Sequence, residues 1–210
     1  MNGNERARLK RITEYETPLW ESGALVGGMD EVGRGPLAGP VVAACVILPR
    51  EPLIESVTDS KKLSEKRREA LYPLIIEAAN CVGFGVVEHD VIDRINILNA
   101  TKRAFSMAFE AMEIKPAHLL VDAIRGLDVE AKQTAIIHGD MVSYLIGAAS
   151  IVAKVKRDAM MRELDAEYPQ YGFASNKGYG TAAHIAALRE YGPCPAHRKS
   201  FITKILGTAT

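Results

Sequence analysis

Residues 25–48 read LVGGMDEVGRGPLAGPVVAACVIL. Leu25 to Asp30 is a short apolar run that ends in acid, which reads as a strand. Glu31 to Pro40 holds Gly33, Gly35, Pro36, Gly39 and Pro40, so the backbone must turn sharply there. Val41 to Leu48 is apolar throughout and reads as a buried strand; it is too short to cross a membrane. Asp30 and Glu31 stand between these two strands. Carboxylates are rarely buried unless they are paired or hold a metal. Charge placed beside the core at a sharp turn costs stability, and such costs concentrate at functional sites.

The pattern continues in both directions. Ser64 can cap a helix to about Ala79, and Cys81–Val87 is a third strand. Asp90 or Asn96 opens the next helix, which Pro116 closes. His118–Val121 is a fourth strand ending at Asp122, and Thr134–Ile137 a fifth ending near Asp140. A long helix is expected from about Ser143 to Glu167, with Val142, Leu145, Ile146, Ala149, Val152, Ala153 and Met160 on its apolar face. A glycine-rich loop at Tyr171–Gly180, a helix at Thr181–Tyr191 and a basic tail follow. This order predicts an α/β fold with a mixed sheet of about five strands. Residues 1–20 read as an N-terminal extension, 21–168 as the main domain and 169–210 as a helical C-terminal region.

Composition narrows the class. The chain has 210 residues, 48% hydrophobic and 25% charged, as a globular protein should. Basic and acidic residues balance at 26 each, which excludes a global basic field but not local patches. Lys61–Arg68 (KKLSEKRR) is one such patch, and Arg198, Lys199 and Lys204 form another. Cys45, Cys81 and Cys194 show no CxxC spacing, and Cys45 and Cys81 read as buried free thiols. With no apolar leader or membrane-length run, the reading is a cytoplasmic protein. Zero net charge and absent heptads point to a monomer.

Asp30, Glu31, Asp122 and Asp140 all fall at strand ends, where ligands bind α/β sheets. Converging carboxylates repel unless cations separate them. Oxygen ligands and dispersed histidines favour Mg²⁺ or Mn²⁺ over Zn²⁺. Neighbouring residues on a regular strand point to opposite faces, so Asp30 and Glu31 can share a metal only if the strand ends or bulges there. Taken singly, Asp122 or Asp140 would be read as a turn or helix cap. Gly33-Arg34-Gly35 does not open a dinucleotide site, because a strand follows where a helix would be needed. It reads as exposed backbone that a ligand can approach closely, or as a tight hairpin without a ligand.

The blocks GMDEVGRGPLAGPVVAACVIL, DSKKLS, GDMVSYLIGAASIVAKVKRD, NKGYGT and HRKSF resemble the ribonuclease HII family in content and order. They span about Met29 to Phe201, nearly the whole chain. The resemblance implies an RNase H-like fold with helices flanking the sheet and a small helical C-terminal part for substrate binding. It implies an endonuclease that cuts the RNA strand of RNA–DNA hybrids and cuts at single ribonucleotides in duplex DNA. By motif, Asp30, Glu31, Asp122 and Asp140 become the metal-binding and catalytic acids. Gly33, Arg34 and Gly35 become readers of the ribose at the DNA–RNA junction, completed by Tyr179. Lys61, Lys62, Lys154, Arg157 and Lys199 are then expected to hold phosphates. One departure stands out: the third acid usually lies in a Val-Asp-Gly context, and here it is Val121-Asp122-Ala123. A small change in loop shape is expected, with activity kept. Another carboxylate nuclease of this broad fold would leave the glycine turn and Tyr179 without a role. A non-catalytic binding module would leave strand-end acids repelling nucleic acid.

Overall fold

The computed structural model describes residues 2–207. Helices α1 (Gly3–Ile12) and α2 (Thr17–Glu21) precede strands β1 (Val26–Val32) and β2 (Val41–Ile47). After a 3-10 turn at Ser60–Lys62 come α3 (Glu65–Ala78), β3 (Cys81–Val87), α4 (His89–Glu110), β4 (His118–Asp122) and β5 (Lys132–Ile136). The chain closes with α5 (Gly139–Val142), α6 (Tyr144–Glu167), a 3-10 turn at Pro169–Tyr171, α7 (Phe173–Asn176), α8 (Ala182–Tyr191) and α9 (Lys199–Leu206).

All five strands form one mixed sheet in the order β3-β2-β1-β4-β5. β2 is antiparallel to β1 and β3, while β4 is parallel to β1 and β5. The expected mixed α/β architecture is therefore the one observed. Side-chain parity divides the core in two. Val26, Ala44, Val46 and Leu120 pack with α6 and α3 on one face. Met29, Ala43, Cys45, Ile47, Leu119 and Val121 pack with α4 on the other. α6 crosses β1 so closely that a Cβ on Gly28 would lie 2.2 Å from the Leu145 carbonyl carbon. Only glycine admits that approach.

Several elements differ from their sequence reading for non-local reasons. β1 runs on through Glu31 to Val32, held by pairing with β2. Both expected openings of α4 are used: it starts at His89, and Asn96 breaks it at φ +65° and then caps Asn99. α6 is not amphipathic over its first turns; Tyr144 to Ala153 are all buried, because the helix lies between the sheet and its covering elements. Met161, not Met160, is the fully buried residue further along. The glycine-rich stretch 171–180 contains the short helix α7, and the basic tail is the helix α9. Cys45 is buried, whereas Cys81 is only partly so; all three thiols are free.

The N-terminal helices join the core. Leu9 and Ile12 pack into the α6 face. Glu16, fully buried, accepts hydrogen bonds from Ser143 Oγ at 2.5 Å and the Leu145 amide at 3.0 Å. A carboxylate there meets unpaired N–H groups at the start of α6. No helix among the described residues is long and apolar enough to cross a membrane.

Candidate active site

β1 outruns β4. Their last pair is Met29↔Val121, after which the two strands part. The next residues on each are Asp30 and Asp122, which share the α6 face by parity. Glu31 has the opposite parity and regular pairing to Ala43, so the strand neither ends nor bulges at the acids. With β4 gone from that edge, the longer glutamate side chain has room to reach round. One carboxylate oxygen from each of Asp30, Glu31 and Asp122 lies within 4.8 Å of the other two.

Asp140 is not a member of this trio. It is buried on α5, and its Oδ2 lies 3.3 Å from Lys61 Nζ. Its charge is nevertheless felt by Asp30 and Asp122. Asp122 Oδ1 accepts the Gly139 amide at 2.7 Å, which ties β4 to the α5 segment. Asp30 Oδ1 accepts its neighbour's amide, that of Glu31, at 2.7 Å. Ser150 of α6 bonds to both Asp30 and Ser60, linking the site to the Ser60–Lys62 turn.

The electrostatics are strained in one direction. Burial, then the Glu31 and Asp122 charges, push the Asp30 carboxyl well above its usual range. Burial also raises Glu31, against the pull of Arg34, and raises Asp122, against the Gly139 hydrogen bond. Glu31 Oε2 is buried with no hydrogen-bond partner. Clustered hard oxygens, an orphaned buried acceptor and mutual repulsion together fit a divalent cation of the Mg²⁺ or Mn²⁺ kind. The trio includes no histidine or cysteine, so it does not fit a zinc site.

The turn that follows is brought against the C-terminal region. Gly33 has φ +95°, a conformation that favours glycine. Arg34 is half-exposed, with Nη1 3.3 Å from Glu31 Oε1. Tyr179 is 43% exposed, and a Cβ built on Gly35 would lie 3.7 Å from its Cε1. The structure thus gathers the two stretches that the sequence separates widely.

The cations sort by burial. Lys62 and Lys199 are exposed, and Lys61 is exposed despite its ion pair with Asp140. Burial works against the Lys61 charge, but Asp140, Asp30 and Asp59 outweigh it and raise its pKa. Lys154 is mostly buried and paired with Asp158 at 2.7 Å. Arg157 corrects the sequence reading. It has no exposed surface, and its guanidinium bonds the carbonyls of Pro40, Lys177 and Ala38. A phosphate cannot reach it.

Sequence reasoning missed four residues. Arg198 reads as a tail cation yet is fully buried under the glycine turn. Ser150, on α6, is not singled out by the sequence yet bonds Asp30. His184 and His197 read as dispersed but meet Nε2 to Nε2 at 3.0 Å, with His184 Nδ1 2.9 Å from the Tyr179 carbonyl. One signal was available for the arginines. A turn rich in glycine and proline leaves carbonyls without ladder partners, and buried carbonyls need donors from somewhere.

Comparison with known proteins places the chain among its relatives. The ribonuclease HII family profile matches residues 27–204. Ribonuclease HII of Caldanaerobacter subterraneus subsp. tengcongensis is 54% identical over 202 residues, covering 94% of this chain and 84% of that protein. Ribonuclease HII of Acetivibrio thermocellus is 51% identical over 198 residues, covering 94% of this chain and 77% of that protein. The crystal structure of ribonuclease H2 from Pyrococcus horikoshii OT3 superposes with a TM-score of 0.73 at 27% identity, covering 87% of this chain and 97% of that one.

Proposed function

The chain belongs to the ribonuclease HII family and is a ribonuclease H, and we propose that it hydrolyses the RNA strand of RNA–DNA hybrids and also cuts 5′ of single ribonucleotides embedded in duplex DNA. The observation that supports this reading is the carboxylate trio standing beside a glycine turn that faces Tyr179. Hydrolysis of a phosphodiester needs charge neutralisation and an activated water. Discrimination of one ribose among deoxyriboses needs groups that meet its 2′-hydroxyl.

In this reading Asp30, Glu31 and Asp122 would hold two divalent cations, with Asp140 completing the acidic wall beside them. Bound there, such cations supply a water of lowered pKa and offset charge on the leaving 3′-oxygen. The chain's own residues do the rest. Ser150 and the Gly139 amide orient the Asp30 and Asp122 carboxylates. Backbone groups of Gly33, Arg34 and Gly35 bond the 2′-hydroxyl, which can both donate and accept. The Tyr179 ring packs on the sugar of the following deoxynucleotide. Exposed Lys61, Lys62 and Lys199 contact phosphates, and the described part of the C-terminal region, residues 169–207, forms much of the duplex-facing surface. No protein nucleophile takes part: burial raises the Cys45 and Cys194 thiols above their ordinary range. The products are a 3′-hydroxyl and a 5′-phosphate, suited to ribonucleotide excision from DNA and to primer removal.

One assay tests the reading. A labelled duplex carrying one ribonucleotide, and a uniform RNA–DNA hybrid, are incubated with enzyme in Mg²⁺, in Mn²⁺ and in chelator. Cleavage of both substrates is expected only with metal, with a 5′-phosphate on the downstream fragment. Cleavage in chelator, or none of the embedded ribonucleotide, refutes the corresponding half.

A further inference from the structure

The carbonyls of the glycine turn are gathered by two arginines, neither with any exposed surface. Arg157 of α6 donates Nε to Pro40 O at 2.9 Å, Nη1 to Lys177 O at 2.9 Å and Nη2 to Ala38 O at 3.2 Å. Arg198, just before α9, donates Nη2 to Gly33 O at 2.6 Å and Nη1 to Arg34 O at 3.0 Å. Its Nε and Nη2 also reach Gly39 O at 3.0 and 2.8 Å. Neither forms an ion pair among the described residues. Burying a guanidinium without a carboxylate is costly. Two such residues converging on one turn mark that turn as something the protein must hold in a single shape.

We infer that Arg157 and Arg198 are positioning residues for ribose recognition, holding the turn so that the amides of Arg34 and Gly35 face the substrate. The inference rests on the role given above to that turn. A trans peptide is planar, so its C=O and N–H point in opposite directions. Gly33 and Arg34 carbonyls drawn inward to Arg198 therefore aim the Arg34 and Gly35 N–H groups outward. No hydrogen bond from either N–H occurs among the described residues. Two adjacent outward donors suit an oxygen such as a hydroxyl. Gly33 permits the clamp: a Cβ there would lie 2.3 Å from Arg157 Nε. A guanidinium fork can span several carbonyls at once, which a lysine ammonium cannot.

Arg157→Lys and Arg198→Lys test this beside Gly35→Ala, whose methyl would meet only the Tyr179 ring. The measurements are kcat/KM on a duplex with one embedded ribonucleotide and on a uniform hybrid, with thermal melting alongside. Both lysine variants are expected to lose about tenfold or more on the embedded ribonucleotide and to stay within about threefold on the hybrid, as for a misplaced recognition group. Equal losses on both substrates, or none, overturn the inference, since a general scaffold would not discriminate. If Gly35→Ala leaves embedded cleavage unchanged, the role of the turn falls and the arginine role with it. If Gly35→Ala loses that cleavage while both lysine variants keep it, the arginine role alone falls. Should the lysine variants not fold, hydrogen exchange in the unaltered protein decides. Arg34 and Gly35 amides must exchange as unprotected groups, and protection of either overturns the inference.

Discussion

A Cβ built on Gly35 would lie 3.7 Å from Cε1 of Tyr179 and would meet nothing else within 4 Å. The two residues come from opposite ends of the chain, yet between them they form one wall of the site. Leu37 N donates to Gly178 O at 2.8 Å and fixes their relative height.

Tyr179→Ala is expected to cut cleavage at a single embedded ribonucleotide by on the order of 100-fold, and cleavage of a long hybrid far less. A long hybrid offers many registers, whereas a lone ribose offers one. Circular dichroism should be unchanged, because the ring is 43% exposed. Equal loss on both substrates would assign Tyr179 to general binding.

Asp30→Asn and Asp122→Asn should reduce cleavage by on the order of 100-fold or more while substrate affinity in a gel shift changes little. Each acid has a raised pKa in the fold, so its ionised form destabilises the native state at neutral pH. In chelator, Asp30→Asn should therefore melt higher than the wild type. Added Mg²⁺ should stabilise the wild type and not the variant. A variant that melts lower in chelator, or still gains from Mg²⁺, contradicts the assignment.

Acid should loosen the C-terminal region through His197. Burial, then His184, lower its pKa from 6.5 to about 4. The unfolded chain thus binds a proton between these values that the folded chain refuses. Stability falls as pH drops through that window and levels off below it, by on the order of 3 kcal/mol in all. The neutral pair is held by the Tyr179 carbonyl at one end and the Cys194 amide, 3.0 Å from His197 Nδ1, at the other. In His197→Asn the denaturation midpoint should decline less steeply from pH 7 to 4. An unchanged slope would remove His197 from the account.

Ala123, which stands where the resemblance led to a glycine, has φ +50°, a region that favours glycine. An L-residue in that region costs about 1–2 kcal/mol. Ala123→Gly should stabilise the protein by up to about 1 kcal/mol, since part of the relief is offset by greater unfolded-state freedom. Metal-dependent cleavage should be unchanged. A lower melting temperature would show that the alanine methyl contributes more in packing than its backbone costs.

Much of the fold is legible along the chain because its signals are local. The apolar run Val41–Leu48 places a central strand, and its burial on both faces follows from having no polar alternation. Ser64, Asn96, Ser143 and Thr181 mark helix starts because each cap needs only a side-chain oxygen and an amide three residues on. Acids late in β1 and at the end of β4 announce a site for the same local reason: the apolar pattern breaks where they begin.

Tertiary structure alone decided which charges work together. Strand parity sets Asp30 and Glu31 apart, and they meet because β4 stops pairing at Met29, a fact about the neighbouring strand. Asp140 stands beside the trio with Lys61, two residues 79 positions apart. Arg157 and Arg198 read as surface cations, since a guanidinium carries no local sign of burial. Their fate was set by unpaired carbonyls in a turn 117 and 165 residues away along the chain. Sequence determined what each segment becomes, because backbone torsion and apolar period are properties of near neighbours. Only the folded chain could choose the partners of its buried charges, because desolvation makes an unmatched group costly wherever the chain happens to supply the match.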